Sequence, residues 1–233
     1  MEELTLRQMQ EGALNILKKL DGICREQGLR YFLFYGTLIG AIRHKGFIPW
    51  DDDLDVAMPR PDFDKLVAYC REQEKIHNKN FRFTMTTNGM LIDDEVIEFC
   101  NREMSNVVLS LDGRKEINDA TRVDYAGNGS YDRIVPKFRK LVEARGGKNY
   151  YMRGTFTHAN PDFTNDVFHM ADLGFTELSM EPVVCAPDDP AALTSDDLEI
   201  VKEQYEILAK DMLRREKEGR PITFYHYMLD LTG

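Results

Sequence analysis

The stretch that decides the fold class runs from residue 81 to residue 113 and reads "FRFTMTTNGMLIDDEVIEFCNREMSNVVLSLDG". It contains two strand-like segments, "FRFTMTTNG" and "NVVLSLDG", and each of them ends in polar or glycine residues. A helical stretch over residues 94–101 lies between them. Strand, helix and strand in this order predict a parallel βαβ unit.

The same alternation continues along the rest of the chain. "YYMRGTFTH" and "FTELSMEPVV" are two further strand-like segments, and residues 132–145, 163–173 and 196–217 have helical character. We therefore predict an α/β fold with parallel strands, in the form of a sheet or a partial (β/α) barrel. In such folds the carboxyl ends of the strands carry the functional site.

The part of the chain before residue 80 shows a different pattern of predicted helices and strands. Residues 5–27 predict an amphipathic helix that a Thr5–Gln8 capping box begins and Gly28 ends. "LRYFLFYGTLIGAIRHKG" then predicts a strand, a turn at Gly36 and a short helix. "DLDVAM" predicts a strand with one wet face, and after two prolines "DFDKLVAYCREQEKIH" resumes as a helix.

Composition narrows the possible functions. The chain of 233 residues has 40 acidic and 30 basic side chains, a formal net charge of −10, which disfavours sequence-blind nucleic-acid binding. No apolar run approaches the roughly 18 residues of a membrane span, and the first residues lack the pattern of a signal peptide. We expect a cytoplasmic protein whose four scattered cysteines are free thiols.

An acidic run within "RHKGFIPWDDDLDV", residues 43–56, is the first candidate site. If it forms a strand, Asp51, Asp53 and Asp55 share one face and repel one another unless a cation lies among them. Oxygen ligands of this kind suit Mg²⁺ or Mn²⁺. The alternative is a solvated acidic loop in which Asp52 or Asp53 caps a turn.

Positive charge and a glycine lie upstream of the acids. A turn at Gly36 and Thr37 would bring backbone N–H groups close to a phosphate, and Arg43, His44 and Lys45 add positive charge. Together with the acids, these residues predict a phosphate-and-metal site.

The segment "GLRYFLFYGTLIGAIRHKGFIPWDDDLDVAMPR" resembles the LicD family, the bacterial relatives of fukutin, and the resemblance covers roughly residues 5–65. It implies part of a nucleotidyltransferase-like fold. Members of the family are similar to enzymes that move phosphocholine from CDP-choline onto a glycan or teichoic-acid hydroxyl. The resemblance therefore implies a nucleotide-linked donor and a glycan acceptor as partners.

Carried over to this chain, the resemblance implies that Asp53 and Asp55 are the metal-binding pair and that Gly36 and Thr37 are the phosphate turn. Nucleotidyltransferase sites usually recruit a third acid from a later strand. The candidates here are Asp93, Asp94 and Asp112.

The predicted mechanism is in-line phosphoryl transfer, in which Arg43 or Lys45 offsets developing charge. Asp51 or Asp52 is a candidate general base or orienting group, and His44 is a candidate phosphate contact or pH-sensitive group. Trp50 either stacks on a quaternary ammonium or packs beside the preceding proline. The predicted catalytic residues are Asp53, Asp55, Asp51 and Arg43, and the predicted donor-binding residues are Gly36, Thr37, His44, Lys45 and Trp50.

Residues from about 66 to 233 resemble another family. "NVVLSLDGRKEINDATR", "GSYDRIVPKF" and "YYMRGTFTHANPDF" are similar to the middle of a radical SAM maturase of SCIFF peptides. Such enzymes hold a [4Fe–4S] cluster and S-adenosylmethionine through a C-x-x-x-C-x-x-C triplet, which this chain lacks. We therefore expect neither cofactor to bind. The family contacts the cofactor at positions that correspond to Ser110, Asp112, Arg153 and Thr155, which would form a remnant pocket.

The two resemblances predict a hybrid of a LicD-type segment, residues 1–65, and a partial radical SAM barrel, residues 66–233. Three readings stay open: a metal-dependent LicD-type transferase, an inactive fragment of a radical SAM maturase, and a catalytically silent protein.

Overall fold

The chain divides into two compact units, Met1–Phe81 and Arg82–Gly233, and the computed structural model describes residues 4–228. Helix α3, Arg60–His77, belongs to the first unit, so the predicted junction at residue 65 falls inside a helix of that unit. The assignment of residues 1–65 and 66–233 to two families is not decided by this division, and it stays a prediction.

The first unit begins with helix α1, Leu6–Gln27. The Thr5 hydroxyl accepts a hydrogen bond from the Gln8 N–H, and the Gln8 side chain accepts one from the Thr5 N–H. At the other end Gly28 adopts a left-handed conformation with φ of 64°, which favours glycine. The predicted helix, its capping box and its stop are all confirmed.

Three short elements follow helix α1 in the first unit. Strand β1, Phe32–Leu33, pairs antiparallel with strand β2, Val56–Ala57, and helix α2, Tyr35–Arg43, lies between them in sequence. Both strands have only two residues. Helix α3 then begins at Arg60, where the prolines at 59 and 61 occupy positions that suit a helix start.

The second unit alternates strands and helices, as predicted. Its elements are β3 (Phe83–Thr87), α4 (Asp94–Glu103), β4 (Met104–Ser110), α5 (Lys115–Thr121), α6 (Tyr131–Arg145), β5 (Tyr150–Phe156), α7 (Thr164–Asp172), β6 (Glu177–Pro182), α8 (Ser195–Lys217) and β7 (Thr223–Phe224), followed by a 3₁₀ turn, Tyr225–Met228. All four strands and all four helices expected after residue 80 are present. Helix α5, strand β7 and the 3₁₀ turn were not predicted.

The five strands of the second unit form one sheet in the order β3-β4-β5-β6-β7, and every pair is parallel. The parallel βαβ prediction and the α/β fold class are therefore confirmed. Because all strands run the same way, their carboxyl ends meet at one edge of the sheet. The residues that follow β4, β5 and β6 all lie at that edge.

The two faces of this sheet differ in burial. One face is buried along β4, β5 and β6, where Val107, Leu109, Met152, Leu178 and Met180 are inaccessible to solvent. The alternate residues of the same strands, which point to the other face, are partly exposed in β4 and β5. In residues 4–228 we find no helix whose length and apolar character would allow it to cross a bilayer.

Candidate functional site

The segment that was predicted to form a phosphate-binding turn lies at the start of helix α2. Gly36 and Thr37 are the second and third residues of this helix, so the expected turn at Gly36 is wrong. Phe34 stands at the N-cap without a side-chain hydrogen bond, and Tyr35 has a φ of 39°. The first N–H groups of a helix have no partner inside it and favour anions. A helix start can therefore do what the turn was expected to do.

Gly36 and Gly40 let the following loop approach helix α2 closely. A Cβ atom on Gly36 would lie 2.7 Å from Asp51 Oδ2. A Cβ atom on Gly40 would lie 2.6 Å from the Gly46 carbonyl oxygen and 2.9 Å from the Ile48 nitrogen. The loop thus runs along the glycine side of the helix and brings the Asp51 carboxylate beside the helix start.

The acidic run is not a strand. Residues 51–55 have no regular structure and β2 covers only Val56–Ala57, so the strand-face argument for the aspartates is wrong. The carboxylates are nevertheless close together. Burial raises the pKa of Asp51, and the charges of Asp53, Asp52 and Asp55 raise it further. Clustered carboxylates of this kind create the negative potential that a divalent cation would neutralise.

Thr37 joins helix α2 to the acidic run. Its buried hydroxyl accepts a 2.7 Å hydrogen bond from the Asp55 N–H. The Phe34 N–H donates a 3.0 Å hydrogen bond to the Asp55 carbonyl oxygen. These two bonds fix the backbone of a predicted metal ligand beside the start of the helix.

Gln10 also supports the acidic run, although no sequence pattern predicts this role. Its side-chain amide on helix α1 donates to the Asp51 carbonyl oxygen at 2.8 Å and to the Ile48 carbonyl oxygen at 3.4 Å. It therefore anchors the loop that presents the acids. The contact spans about forty residues along the chain, and no local sequence pattern could have revealed it.

The basic triplet lies at the other end of helix α2. Arg43 is its last residue, His44 is its C-cap, and Lys45 follows with a φ of 56°. All three are exposed. Arg43 lies seven positions after Gly36, which corresponds to about 10 Å along the axis. The structure thus separates the triplet from the helix start, and its charge also suits the negative end of the helix dipole.

Trp50 is 77% exposed. The packing alternative for this residue would require it to be buried against the protein. Its ring is instead open to solvent beside the acidic run, so it is free to contact a ligand.

Asp53 and Asp55 offer two carboxylates, the kind of ligand that binds a divalent cation together with substrate oxygens. Within residues 4–228, no three histidine, cysteine, aspartate or glutamate side chains are grouped as metal ligands. Mg²⁺ usually binds through one or two protein carboxylates together with substrate phosphates and water, so a pair is sufficient. The three candidate third acids have other partners: Asp93 caps helix α4, Asp94 pairs with Lys140, and Asp112 pairs with Arg122.

In the second unit a cavity of about 390 Å³ lies at the carboxyl ends of the strands. Its buried Asp112 accepts hydrogen bonds from Arg122 at 2.7 and 2.9 Å and from the Thr155 N–H at 2.9 Å. Ser110 and Arg153 are register partners on β4 and β5. Of the four predicted remnant-pocket residues, Asp112 and Thr155 line this cavity and Arg153 lines a separate one, and Asp112 is satisfied internally.

None of the four cysteines, all of which lie among the described residues, forms a disulfide. They lie on α1, α3 and α4 and after β6, and burial raises the pKa of Cys24 and Cys70. Protonated thiols are poor metal ligands, because the thiolate is the ligating form.

Comparison with known proteins bears on both units. The family model for the LicD/FKTN/FKRP nucleotidyltransferase domain matches residues 28–126. The lipopolysaccharide cholinephosphotransferase LicD of Haemophilus influenzae is 38% identical over 120 residues, which are 52% of this chain and 40% of that protein. An uncharacterised protein of Rickettsia prowazekii, RP689, is 38% identical over 47 residues, 20% of this chain and 18% of that protein. The chain thus spans less than half the length of these relatives.

Among solved structures, anSMEcpe with bound AdoMet superposes with a TM-score of 0.62 at 18% identity, over 72% of this chain and 46% of that one. The same protein with AdoMet and a Cp18Cys peptide gives 0.61, also at 18% identity, over 72% of this chain and 47% of that one. At this identity the likeness concerns the fold alone. The chain therefore carries a match to the LicD nucleotidyltransferase domain over residues 28–126, together with a fold similar to that of anSMEcpe.

Proposed function

We propose that this chain has a metal-dependent LicD-type site that moves phosphocholine, or a similar phospho-group, from a CDP-linked donor to a glycan or teichoic-acid hydroxyl. The match over residues 28–126 and the 38% identity to a cholinephosphotransferase support this reaction class. The observation that carries the proposal is the hydrogen bond from the Asp55 N–H to Thr37 Oγ1. It joins the uncapped start of helix α2 to the acidic run.

Each residue of the site then has a defined role. The N–H groups of Gly36 and Thr37 bind a phosphate oxygen of the donor, and Asp53 and Asp55 hold Mg²⁺ or Mn²⁺. When bound, the metal ion neutralises charge on the diphosphate. Asp51 is the acid best suited to accept the proton of the acceptor hydroxyl, because burial and the neighbouring carboxylates raise its pKa.

The exposed residues at the far end of helix α2 contact other parts of the donor. The backbone of the basic triplet, Arg43 to Lys45, lies about 10 Å from Gly36. It is therefore too far away to contact the phosphate oxygen that the Gly36 N–H binds. The charge of the triplet suits the second phosphate and offsets charge that develops during transfer. Trp50 stacks on the choline group by cation–π attraction.

Calorimetry of CDP-choline binding with and without MgCl₂ tests the proposal. The variant Asp53→Asn keeps the size of the side chain and removes one charge. Loss of a charge-assisted contact costs on the order of 2–3 kcal/mol, so Mg²⁺-dependent affinity should fall more than about thirtyfold. The matched control is Asp64→Asn, which removes an exposed aspartate of helix α3 that pairs with Arg60. Equal affinities in the Asp53 variant and the unaltered protein would exclude Asp53 as a ligand.

A radical SAM peptide maturase is the second candidate, and the fold of the sheet favours it. We do not expect this activity, because the chain lacks the cysteine triplet that holds the cluster. Iron and sulfide in stoichiometric amounts after anaerobic purification would overturn that expectation. If the protein neither turns over CDP-choline with Mg²⁺ nor binds a cluster, the catalytically silent reading stands. A cytoplasmic location remains part of the proposal.

A further inference from the structure

Helix α2 turns its large apolar side chains outward. Tyr35, Leu38, Ile39 and Ile42 recur at spacings of three and four residues, so they lie on one face of the helix. All four are exposed, Tyr35 at 70% and Ile42 at 64%. A surface helix normally turns its apolar face toward the core. In the described part of the chain, residues 4–228, this face stays uncovered.

Contacts on another side of helix α2 hold it in this orientation. Gly36 and Gly40 are approached closely by the loop that follows the helix. Thr37 is buried, and its hydroxyl accepts the hydrogen bond from the Asp55 N–H. The side of the helix that packs on the protein is therefore made of small residues. A rotation that buried the apolar side chains would break the contact between Thr37 and Asp55.

Two phenylalanines before the helix extend its apolar side. Phe32 and Phe34 are alternate residues of an extended segment, so they share a face, and both are exposed. The Phe34 ring meets the Tyr35 ring with centroids 4.3 Å apart. We call the two phenylalanines and the four helix residues the α2 face. Contiguous apolar patches of several hundred Å² usually mark an interaction surface, and a standard protein interface covers about 800 Å² on each partner.

Charges of opposite sign lie at the two ends of helix α2, on one flank of the α2 face. Arg43 is seven positions after Gly36, so the two differ by only about 20° around the helix axis. The acidic run begins beside Gly36, where a Cβ atom would lie 2.7 Å from Asp51 Oδ2. Asp52, Asp53 and Arg43 are exposed. This flank is therefore acidic at the helix start and basic at the helix end.

We propose that the α2 face binds a second copy of this chain, with the two α2 helices antiparallel about a twofold axis. A twofold interface uses the same patch on both copies, so the patch must complement itself. Antiparallel pairing keeps the charged flank on the same side in both copies and brings Arg43 of each copy beside the acidic run of the other. A parallel pair would instead bring like-charged ends together, which costs free energy.

The pair is weak, because the α2 face is at the small end of protein interfaces. We expect a dissociation constant of about 10–100 µM, so the chain is a monomer at the low micromolar concentrations that circular dichroism uses. Salt should weaken the charged contacts at the helix ends and leave the apolar contact in place. The pairing does not rest on the transferase function, since it needs neither a donor nor a metal ion.

Sedimentation velocity of the full chain, without nucleotide or Mg²⁺, tests the pairing. The dimer fraction should rise with protein concentration between about 2 and 200 µM. Ile42→Asp places a charge in the interface and should weaken association by about tenfold or more. The matched control is Ile16→Asp, because Ile16 is a 70% exposed isoleucine of helix α1 outside the α2 face, and association should stay unchanged. Thermal melting of both variants identifies any loss of folding.

Charge reversal tests the antiparallel orientation. Arg43→Glu alone should weaken association about three- to tenfold, and adding Asp52→Arg to it should restore association. A double variant that associates no better than Arg43→Glu would overturn the antiparallel arrangement. A chain that stays monomeric up to about 200 µM, or equal association of folded Ile42→Asp and Ile16→Asp proteins, would overturn the pairing itself. So would a monomer that sediments with vesicles of phosphatidylcholine and phosphatidylglycerol, because the α2 face would then bind a lipid surface.

Discussion

The two units differ in where their apolar side chains lie. In the second unit Phe138, Phe156, Phe163 and Phe224 are almost completely buried, as are the inward residues of the sheet. In the first unit the buried apolar side chains among the described residues are few, namely Cys24, Leu29 and Val67. The same unit leaves Phe32, Tyr35, Ile42 and Trp50 more than half exposed.

This difference suggests that the two units contribute differently: the second unit has most of the core, and the first has the candidate phosphate site. The second unit has a dense core, and at the carboxyl edge of its sheet Arg122 already satisfies the charge of Asp112. The first unit has a thin core but a cluster of carboxylates beside an uncapped helix start. Burial stabilises a fold roughly in proportion to apolar area, whereas a phosphate site depends on a few exactly oriented polar groups. A substitution can therefore lower stability without affecting phosphate binding, or weaken phosphate binding without affecting stability.

The largest expected effect is on the core of the second unit. Phe138→Ala removes a ring that is inaccessible to solvent. The ring packs closely against Gly89, where a Cβ atom would lie 2.4 Å from Phe138 Cε1. The free energy of unfolding should fall by about 3–5 kcal/mol. Ile42→Ala, at a position 64% exposed in the first unit, should change it by less than about 0.5 kcal/mol. Urea denaturation followed by circular dichroism measures both, and similar losses would refute the contrast.

A smaller effect is expected at the glycine side of helix α2. In Gly40→Ala the new methyl group meets backbone atoms of Gly46 and Ile48, which cannot rotate away. The cost should be about 1–3 kcal/mol, together with faster amide exchange in residues 46–55. Gly12→Ala on helix α1 meets nothing within 4 Å and should stabilise that helix by up to about 1 kcal/mol. Hydrogen exchange by mass spectrometry distinguishes these outcomes, and slow exchange in Gly40→Ala would show that the loop tolerates the methyl group.

A third effect appears only in acid and concerns the start of helix α8. Hydrogen bonds from the Thr194 N–H, the His158 ring and the Thr194 hydroxyl lower the pKa of Asp197 from 3.8 to about 2. A lowered pKa in the folded state stabilises the protein above pH 4, and this contribution is lost as the pH falls from about 4 to 2. Asp197→Asn should therefore be less stable at pH 6 and flatter in its pH dependence. Melting temperatures between pH 2 and pH 6 test this, and parallel curves for the two proteins would contradict it.

The smallest expected effect concerns Trp50. Because its side chain is 77% exposed, Trp50→Ala should change the free energy of unfolding by less than about 0.5 kcal/mol. If the ring stacks on choline, affinity for CDP-choline should fall about two- to fivefold, in line with an exposed cation–π contact. Affinity for CDP, which lacks the ammonium group, should stay constant. An equal loss for both ligands would mean that the ring contacts another part of the donor.

Much of the fold was predictable because its patterns are local. Helix α1 has its cap at Thr5 and its stop at Gly28 within the segment itself. The strands of the second unit have a period and bounding residues that a single sequence displays, and their alternation with helices implies parallel pairing. Strand β7 escaped prediction because two residues show no period, and helix α5 because it is short and mostly polar.

The candidate site was less predictable than the fold. The residue types of the acidic run indicated carboxylate chemistry, but the run is irregular, and the aspartates meet because the loop turns back along Gly36 and Gly40. The pairing of Gln10 with the Asp51 carbonyl oxygen spans much of the first unit. Such contacts depend on which distant backbone atoms packing brings together, and a single sequence does not encode them in adjacent positions.

The sequence by itself determined the α/β class, the positions of the main helices and strands, and the resemblance to two families, because periodicity, caps and motifs are written in neighbouring residues. Only the tertiary structure decided that Gly36 lies in the first turn of a helix, that Thr37 holds the backbone of Asp55, and that Arg153 and Glu181 line one cavity. The last two facts concern residues far apart along the chain, which only the packing of the whole unit brings together.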